Sequence, residues 1–134
     1  MSRDESARPT RPSVSRPRPV RRPTLPPGPL RDLKDAVYEL YLRAGPVSMV
    51  ELAAEIRDSD DLPGAPSSDT VHRILNSAAR PANVHDVVAV ATALARRAAL
   101  ARGERVDLSE VPERIRRLYE RVDPGAPAPV PGWV

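Results

Sequence analysis

Residues 67–76 are Ser-Ser-Asp-Thr-Val-His-Arg-Ile-Leu-Asn, and Arg80-Pro81 follow shortly after. Successive residues of an α-helix turn by about 100°, so side chains three or four positions apart share a face. On that spacing one edge is apolar, with Val71, Ile74, Leu75 and Ala78. The other edge is polar, with Ser68, Asp69, His72, Arg73 and Asn76. The stretch therefore predicts a short helix with one buried and one exposed edge.

Two helices are predicted before this stretch. Apolar residues recur at helical spacing over residues 30–44, and the pattern stops at the Gly-Pro pair at 45–46. Ser48 is followed three residues later by Glu51, which is the pattern of a capping box. A second, short helix is therefore predicted over about residues 49–57.

Two more helices are predicted after it. Asn83 has the residue type and position of an N-cap, and the helix that it begins extends to Arg97 or beyond. Apolar residues at 111, 115, 118 and 122 share a face of a fifth helix. Strand-type alternation is absent from the sequence. The predicted fold class is therefore all-α, a five-helix bundle.

Proline defines the predicted domain organisation. Residues 1–29 contain eight of the 17 prolines, and residues 123–134 contain four more. Such segments favour extended, unpacked chain, so the sequence predicts a disordered Arg/Pro-rich arm at the start and a disordered Pro-rich tail at the end. The helical domain is expected over residues 30–122, with its core motif at 48–82.

Several function classes are excluded by composition and spacing. With no cysteine there is no disulfide, thiol nucleophile or cysteine-ligated zinc, and the sequence has neither an apolar run of membrane-spanning length nor a signal-peptide h-region. His72 and His85 have no third ligand type at a suitable spacing, and the acids at 58–61 lack the pattern of a calcium loop. We therefore expect a cytoplasmic protein that is not an enzyme and needs no cofactor or metal.

The two chemically important motifs are at 44–53, Ala-Gly-Pro-Val-Ser-Met-Val-Glu-Leu-Ala, and at 67–76. With the helix order around them, they resemble the Cro/repressor class of helix-turn-helix domain, and are similar to small actinobacterial transcriptional regulators. The resemblance covers roughly residues 30–98. It implies that the second helix supports the third across a DNA duplex, and that outward residues of the third helix contact bases.

The resemblance implies a set of DNA-binding residues. Base contacts are expected from Ser68, Asp69, His72 and Arg73. Contacts to phosphate are expected from Asn76 and Arg80, which come at the end of the helix. Arg73 can donate two hydrogen bonds to guanine, and His72 can donate to guanine N7. The expected partner is double-stranded DNA, which implies a nucleoid location. A homodimer or a protein partner is also expected, through the fourth and fifth helices. No small-molecule ligand is indicated.

Charge is distributed unevenly along the chain. The net charge is +3, but residues 1–29 carry +5 and the rest of the chain carries −2. Residues 48–83 hold six acidic residues against three arginines, a net charge of −3 that repels phosphate. The arm is therefore predicted to supply positive charge along a groove or phosphate track, through Arg16, Arg18, Arg21 and Arg22.

Other interpretations remain open at this point. The third helix can be a structural helix whose polar edge faces water, and the arm can be a solubilising tail or a protein-docking peptide. A nine-residue segment, 58–66, also replaces the usual turn of three or four residues. The alternative function is a protein-protein interaction module on a helix-turn-helix scaffold, in a regulatory or phage-related assembly, with Trp133 as a tail residue or an anchor.

Overall fold

The computed structural model describes residues 19–103 and 109–122. Over these residues the chain forms five helices and no strand: α1 Pro29–Ala44, α2 Met49–Arg57, α3 Ser68–Asn76, α4 Val84–Arg102 and α5 Glu110–Arg121. The prediction of an all-α fold is confirmed for this part of the chain. None of the five helices is both long and apolar enough to cross a membrane.

Local sequence signals set the helix ends. Ser48 Oγ accepts a hydrogen bond from the Glu51 N–H at 3.0 Å, and the Ser48 N–H donates to Glu51 Oε1 at 3.1 Å, which completes the predicted capping box. The predicted side-chain cap by Asn83 on α4 is confirmed as well, and Ser67 caps α3 in the same way. α1 ends before Gly45, whose φ of 80° lies in the left-handed region that favours glycine.

α4 is the central element and packs against each of the other four helices. Its sequence predicts one apolar side, but residues 87–95 are buried without interruption. The difference arises because α4 has neighbours on every side, and a helix in that position is buried all round. Valine, alanine and leucine make up most of this buried run.

The segment before α1 is not helical, and part of it packs on α1. Val20 is buried; its N–H donates to the Tyr41 hydroxyl at 2.9 Å, and its carbonyl accepts from the Tyr38 hydroxyl at 2.6 Å. Leu25 is buried too. This packing differs from the expectation of an unpacked arm up to residue 29. Its cause is that both tyrosines are buried on α1, where their hydroxyls need hydrogen-bond partners.

Candidate nucleic-acid interface

α3 has the two edges that its sequence predicts. Its apolar side chains are buried, with Val71 and Leu75 at 0% exposure. On the opposite edge Asp69, His72 and Arg73 are exposed, and Ser68 is half-buried. The side chains of the three exposed residues form no ion pair or hydrogen bond with another residue in 19–103 or 109–122. This edge is therefore available to a partner molecule.

The segment between α2 and α3 is anchored at two points. Ser59 Oγ donates to the Glu55 carbonyl at 2.8 Å, close to the end of α2. Gly64 lies against the start of α4: a Cβ added to it would come within 3.0 Å of the His85 carbonyl oxygen and 3.1 Å of the Asp86 Cα. α2 still packs directly against α3. The nine-residue segment is thus accommodated on α4 while α2 and α3 remain in contact.

Two of the six acids in residues 48–83 are paired with arginines of α4. Arg97 Nε lies 2.8 Å from Glu55 Oε1, and Arg96 forms an ion pair and hydrogen bonds with Asp61. The hydrogen bond from Arg96 lowers the pKa of Asp61. When the charges of Arg96 and Arg97 are added to those of residues 48–83, the net charge changes from −3 to −1. α4 therefore offsets most of the acidic charge next to α3.

Asn76 connects α3 to the segment before α1. Its Nδ2 donates to the Arg21 carbonyl at 2.9 Å. An open groove runs beside this bond, and its lining comes from the arm, the α2 start and α3: Pro19, Val20, Arg21, Val47, Ser48, Met49, His72 and Asn76. The arm therefore leaves the described part of the chain next to the exposed edge of α3. Arg16 and Arg18 lie outside the described residues.

Arg22, the other arm residue that we predicted, has partners on α1. Its guanidinium lies 5.0 Å from the centroid of the Tyr38 ring, and its Nε is 3.8 Å from Asp35 Oδ1. The side chain is still about half exposed, at 47%. Cation–π contact and a surface ion pair of this kind hold a side chain loosely, since each contributes of the order of 1 kcal/mol or less.

Arg80 is positioned by α5. Its guanidinium lies over the ring of Tyr119, 4.2 Å from the centroid, and the Tyr119 hydroxyl donates to the Pro81 carbonyl at 2.8 Å. Both residues predicted to contact phosphate, Asn76 and Arg80, thus have partners within the chain. Arg80 Nε is shielded from solvent, without a hydrogen-bond partner in the described residues.

Lys34 also fixes the C-terminal end of α3 to α1. This side chain is 2% exposed, and its Nζ donates to the carbonyls of Arg73 at 3.1 Å and of Ile74 at 2.9 Å. The Arg73 carbonyl also accepts the Ser77 N–H at 2.8 Å. The Ile74 carbonyl lies where a helix runs out of amide donors, and Lys34 supplies a donor there. Burial lowers the pKa of Lys34 to about 8.

Sequence reasoning missed the side chains that attach the arm and α3 to their neighbours: Lys34, Tyr38, Tyr41 and Tyr119. One signal was present. Lys34, Tyr38 and Tyr41 are four and three residues apart, which places them on one side of α1. Lys34 is also the single lysine in a chain with 20 arginines, and a lysine on that side can extend its ammonium to backbone carbonyls.

Within residues 19–103 and 109–122, no three histidine, aspartate or glutamate side chains are grouped so that they could hold a metal ion. Comparison of the chain with family models, with curated proteins and with solved structures found no match.

Proposed function

We propose that this chain is a sequence-specific DNA-binding transcriptional regulator of helix-turn-helix type, with α3 as its recognition helix. The observation that carries the proposal is the bond between Asn76 and the Arg21 carbonyl. It brings a basic, proline-rich arm to the helix whose exposed edge has unused polar side chains. Base contacts and backbone contacts can then be made by adjacent parts of one surface.

Residues of α3 differ in what they can recognise. Arg73 is suited to two parallel hydrogen bonds with guanine O6 and N7, and His72 to a single bond with an acceptor such as guanine N7. Asp69 is suited to the N4 amino group of cytosine, and its negative charge disfavours close phosphate. These three exposed side chains cover a short run of base pairs, so high selectivity is expected to require the α3 helix of a second copy as well.

The charge distribution favours different roles in DNA binding for the arm and for α3. The acids near α3 are largely offset by Arg96 and Arg97, so this surface neither attracts nor strongly repels a duplex. Residues 1–18 contain five arginines against two acids. The arm is proposed to supply salt-dependent affinity by displacing counterions, and α3 to supply selectivity.

The direct test is to select duplexes from a randomised pool with full-length protein and then measure affinity for selected and scrambled sequences. Arg73→Ala should lose about 1–3 kcal/mol of binding free energy on the selected sequence and little on scrambled ones. Arg116→Ala, an exposed arginine of α5 without an ion pair in the described chain, is the control. Equal affinity of the full-length protein for selected and scrambled duplexes would overturn the proposal.

The arm is tested by deleting residues 1–18, since this leaves Val20 and its two tyrosine partners in place. Affinity should fall at low salt, and the slope of log affinity against log salt should flatten by about 0.9 for every phosphate that the arm neutralises. A control variant keeps the five arginines and replaces the three prolines of residues 1–18 with alanine. An unchanged slope in the deletion variant would remove the arm from the proposal.

A second candidate function, binding to a protein, is favoured by two exposed leucines. Leu100 on α4 is 84% exposed and Leu42 on α1 is 57% exposed. Leu40 and Arg43 line a shallow cavity together with residues of the second half of α4, so these helix ends are neighbours. If this surface pairs two copies, Leu100→Glu should lower the sedimenting mass, and a parallel fall in DNA affinity would mean that DNA is bound by the pair.

A further inference from the structure

A cavity of about 300 Å³ lies where α3 ends and α4 begins. Its wall includes side chains from α1, α3, the connection after α3, and α4, among them Lys34, Arg73, Arg80, Asn83 and Asp86. Three of these five are cations and one is an acid. A cavity this small, with an excess of positive charge, has the character of a site for a compact anion.

Two of the cations have unused donors. Lys34 has three N–H groups, and among the residues that the structure describes it uses two, on the Arg73 and Ile74 carbonyls. Arg80 Nε is shielded from solvent and without a hydrogen-bond partner in residues 19–103 and 109–122. Buried donors left unpaired are costly, by about 1–3 kcal/mol each, and a bound acceptor would relieve that cost.

The start of α4 contributes to the same cavity. α4 has 19 residues, and Asn83 Oδ1 accepts the His85 N–H at 2.8 Å. The other first-turn amides of α4 have no partner inside the helix, and the helix dipole adds positive potential there. Lys34 and Arg80 line this cavity together with Asn83 and Asp86 at the α4 start.

We propose that this cavity binds a phosphate-like oxyanion, held by Lys34, Arg80 and the first amides of α4. Arg73 also lines the cavity and adds positive charge. Asp86 is the one acid on the wall; its Oδ1 lies toward Gly64, where an added Cβ would be 2.5 Å away. Burial raises the pKa of Asp86. The proposal does not depend on DNA binding.

The single lysine makes the test specific. Protein grown with 13C-labelled lysine gives side-chain NMR signals from one residue, Lys34. Titration with inorganic phosphate, at ionic strength held constant with chloride, should shift these signals saturably and raise the pKa of Lys34, because an adjacent anion favours the charged amine. Val84 and Asp86 backbone amides should shift with the same affinity.

Arg80→Gln is the discriminating variant because its side chain is not part of the apolar core. It should weaken phosphate binding about tenfold, in line with the loss of one charge-assisted hydrogen bond. Arg116→Gln should bind like the unmodified protein. The absence of a saturable Lys34 shift, or equal affinity in Arg80→Gln and Arg116→Gln, would overturn the proposal.

The source of the oxyanion is distinguished by adding a selected DNA duplex. If phosphate and duplex compete for the Lys34 shift, the site takes a phosphate of the DNA backbone. If both bind at once, the site takes a free phosphorylated compound. Inorganic phosphate is titrated without DNA. The presence or absence of a saturable Lys34 shift therefore tests the oxyanion site even if the protein does not bind duplexes.

Discussion

α3 and α4 are neighbours in the chain and are held in the fold by different forces. The middle of α4, residues 87–95, is buried on all sides by mostly apolar contacts. α3 buries three side chains and is attached at its C-terminal end by hydrogen bonds from Lys34 and through Asn76. Apolar burial contributes a large stabilisation that does not depend on pH, while a polar attachment such as that of Lys34 contributes less and can titrate. The comparison separates the part of the molecule that provides stability from the part available for recognition.

The largest expected effect is on α4. Leu94→Ala removes a fully buried side chain and should lower the free energy of unfolding by about 2–5 kcal/mol, as lost burial and a residual cavity add together. Leu100→Ala is a matched control in the same helix, where the side chain is 84% exposed, and should change stability by less than about 0.5 kcal/mol. Urea denaturation followed by circular dichroism measures both. Similar losses in the two variants would contradict the central position of α4.

The next effect concerns the contact between the 58–66 segment and α4. Gly64→Ala places a methyl group against the His85 carbonyl and Asp86, so we expect a loss of about 1–3 kcal/mol from overpacking. Ala65→Ser, at an exposed neighbouring position, is the control. Unaltered stability of Gly64→Ala would mean that this segment moves independently of α4.

A smaller effect tests the polar attachment of α3. In the folded chain the pKa of Lys34 is about 8, against 10.5 for an ordinary lysine, so above pH 8 the unfolded chain holds more protons. Stability should therefore rise with pH, by about 1 kcal/mol between pH 7 and pH 9 from this group.

The control for that measurement is Lys34→Met, which keeps the side-chain volume and has no titrating amine. Its unfolding free energy is compared with that of the unmodified chain at each pH, because the contributions of other groups then cancel. Parallel pH profiles for the two proteins would mean that Lys34 is not buried in the folded state.

The smallest expected effect on stability is at the exposed edge of α3. Arg73→Ala should change the unfolding free energy by less than about 0.5 kcal/mol, since the side chain is exposed and unpaired in the described chain. The thermal midpoint checks this. A large loss would mean that Arg73 is needed for folding, and its effect on DNA affinity could not then be assigned to base contact.

The predictable parts of this fold are those set by neighbours in sequence. Ser48 with Glu51, and Asn83 before α4, cap helices through residues two or three positions away, so their pattern is visible without a structure. The two edges of α3 follow from helical spacing in the same way. The assignment of that exposed edge to DNA stays a prediction, because spacing does not identify the molecule that a surface contacts.

The parts that could not be predicted depend on residues far apart in sequence. Lys34 donates a hydrogen bond to the Ile74 carbonyl of α3, 40 residues further along the sequence. Arg97 donates to Glu55, which is 42 residues away in the sequence. Val20 is buried by tyrosines on another segment, although its proline-rich surroundings favour unpacked chain. Such contacts follow from the arrangement of helices and not from local composition.

The position of the single lysine also makes the chain a reporter of its own unfolding. An endoprotease specific for lysine has one peptide bond to cut, between Lys34 and Asp35, and that bond lies inside α1 with the Lys34 side chain buried. Cleavage requires α1 to open, so its rate measures how often the helix core opens under native conditions. Addition of phosphate or a DNA duplex should slow this cut to the extent that either one stabilises the closed state.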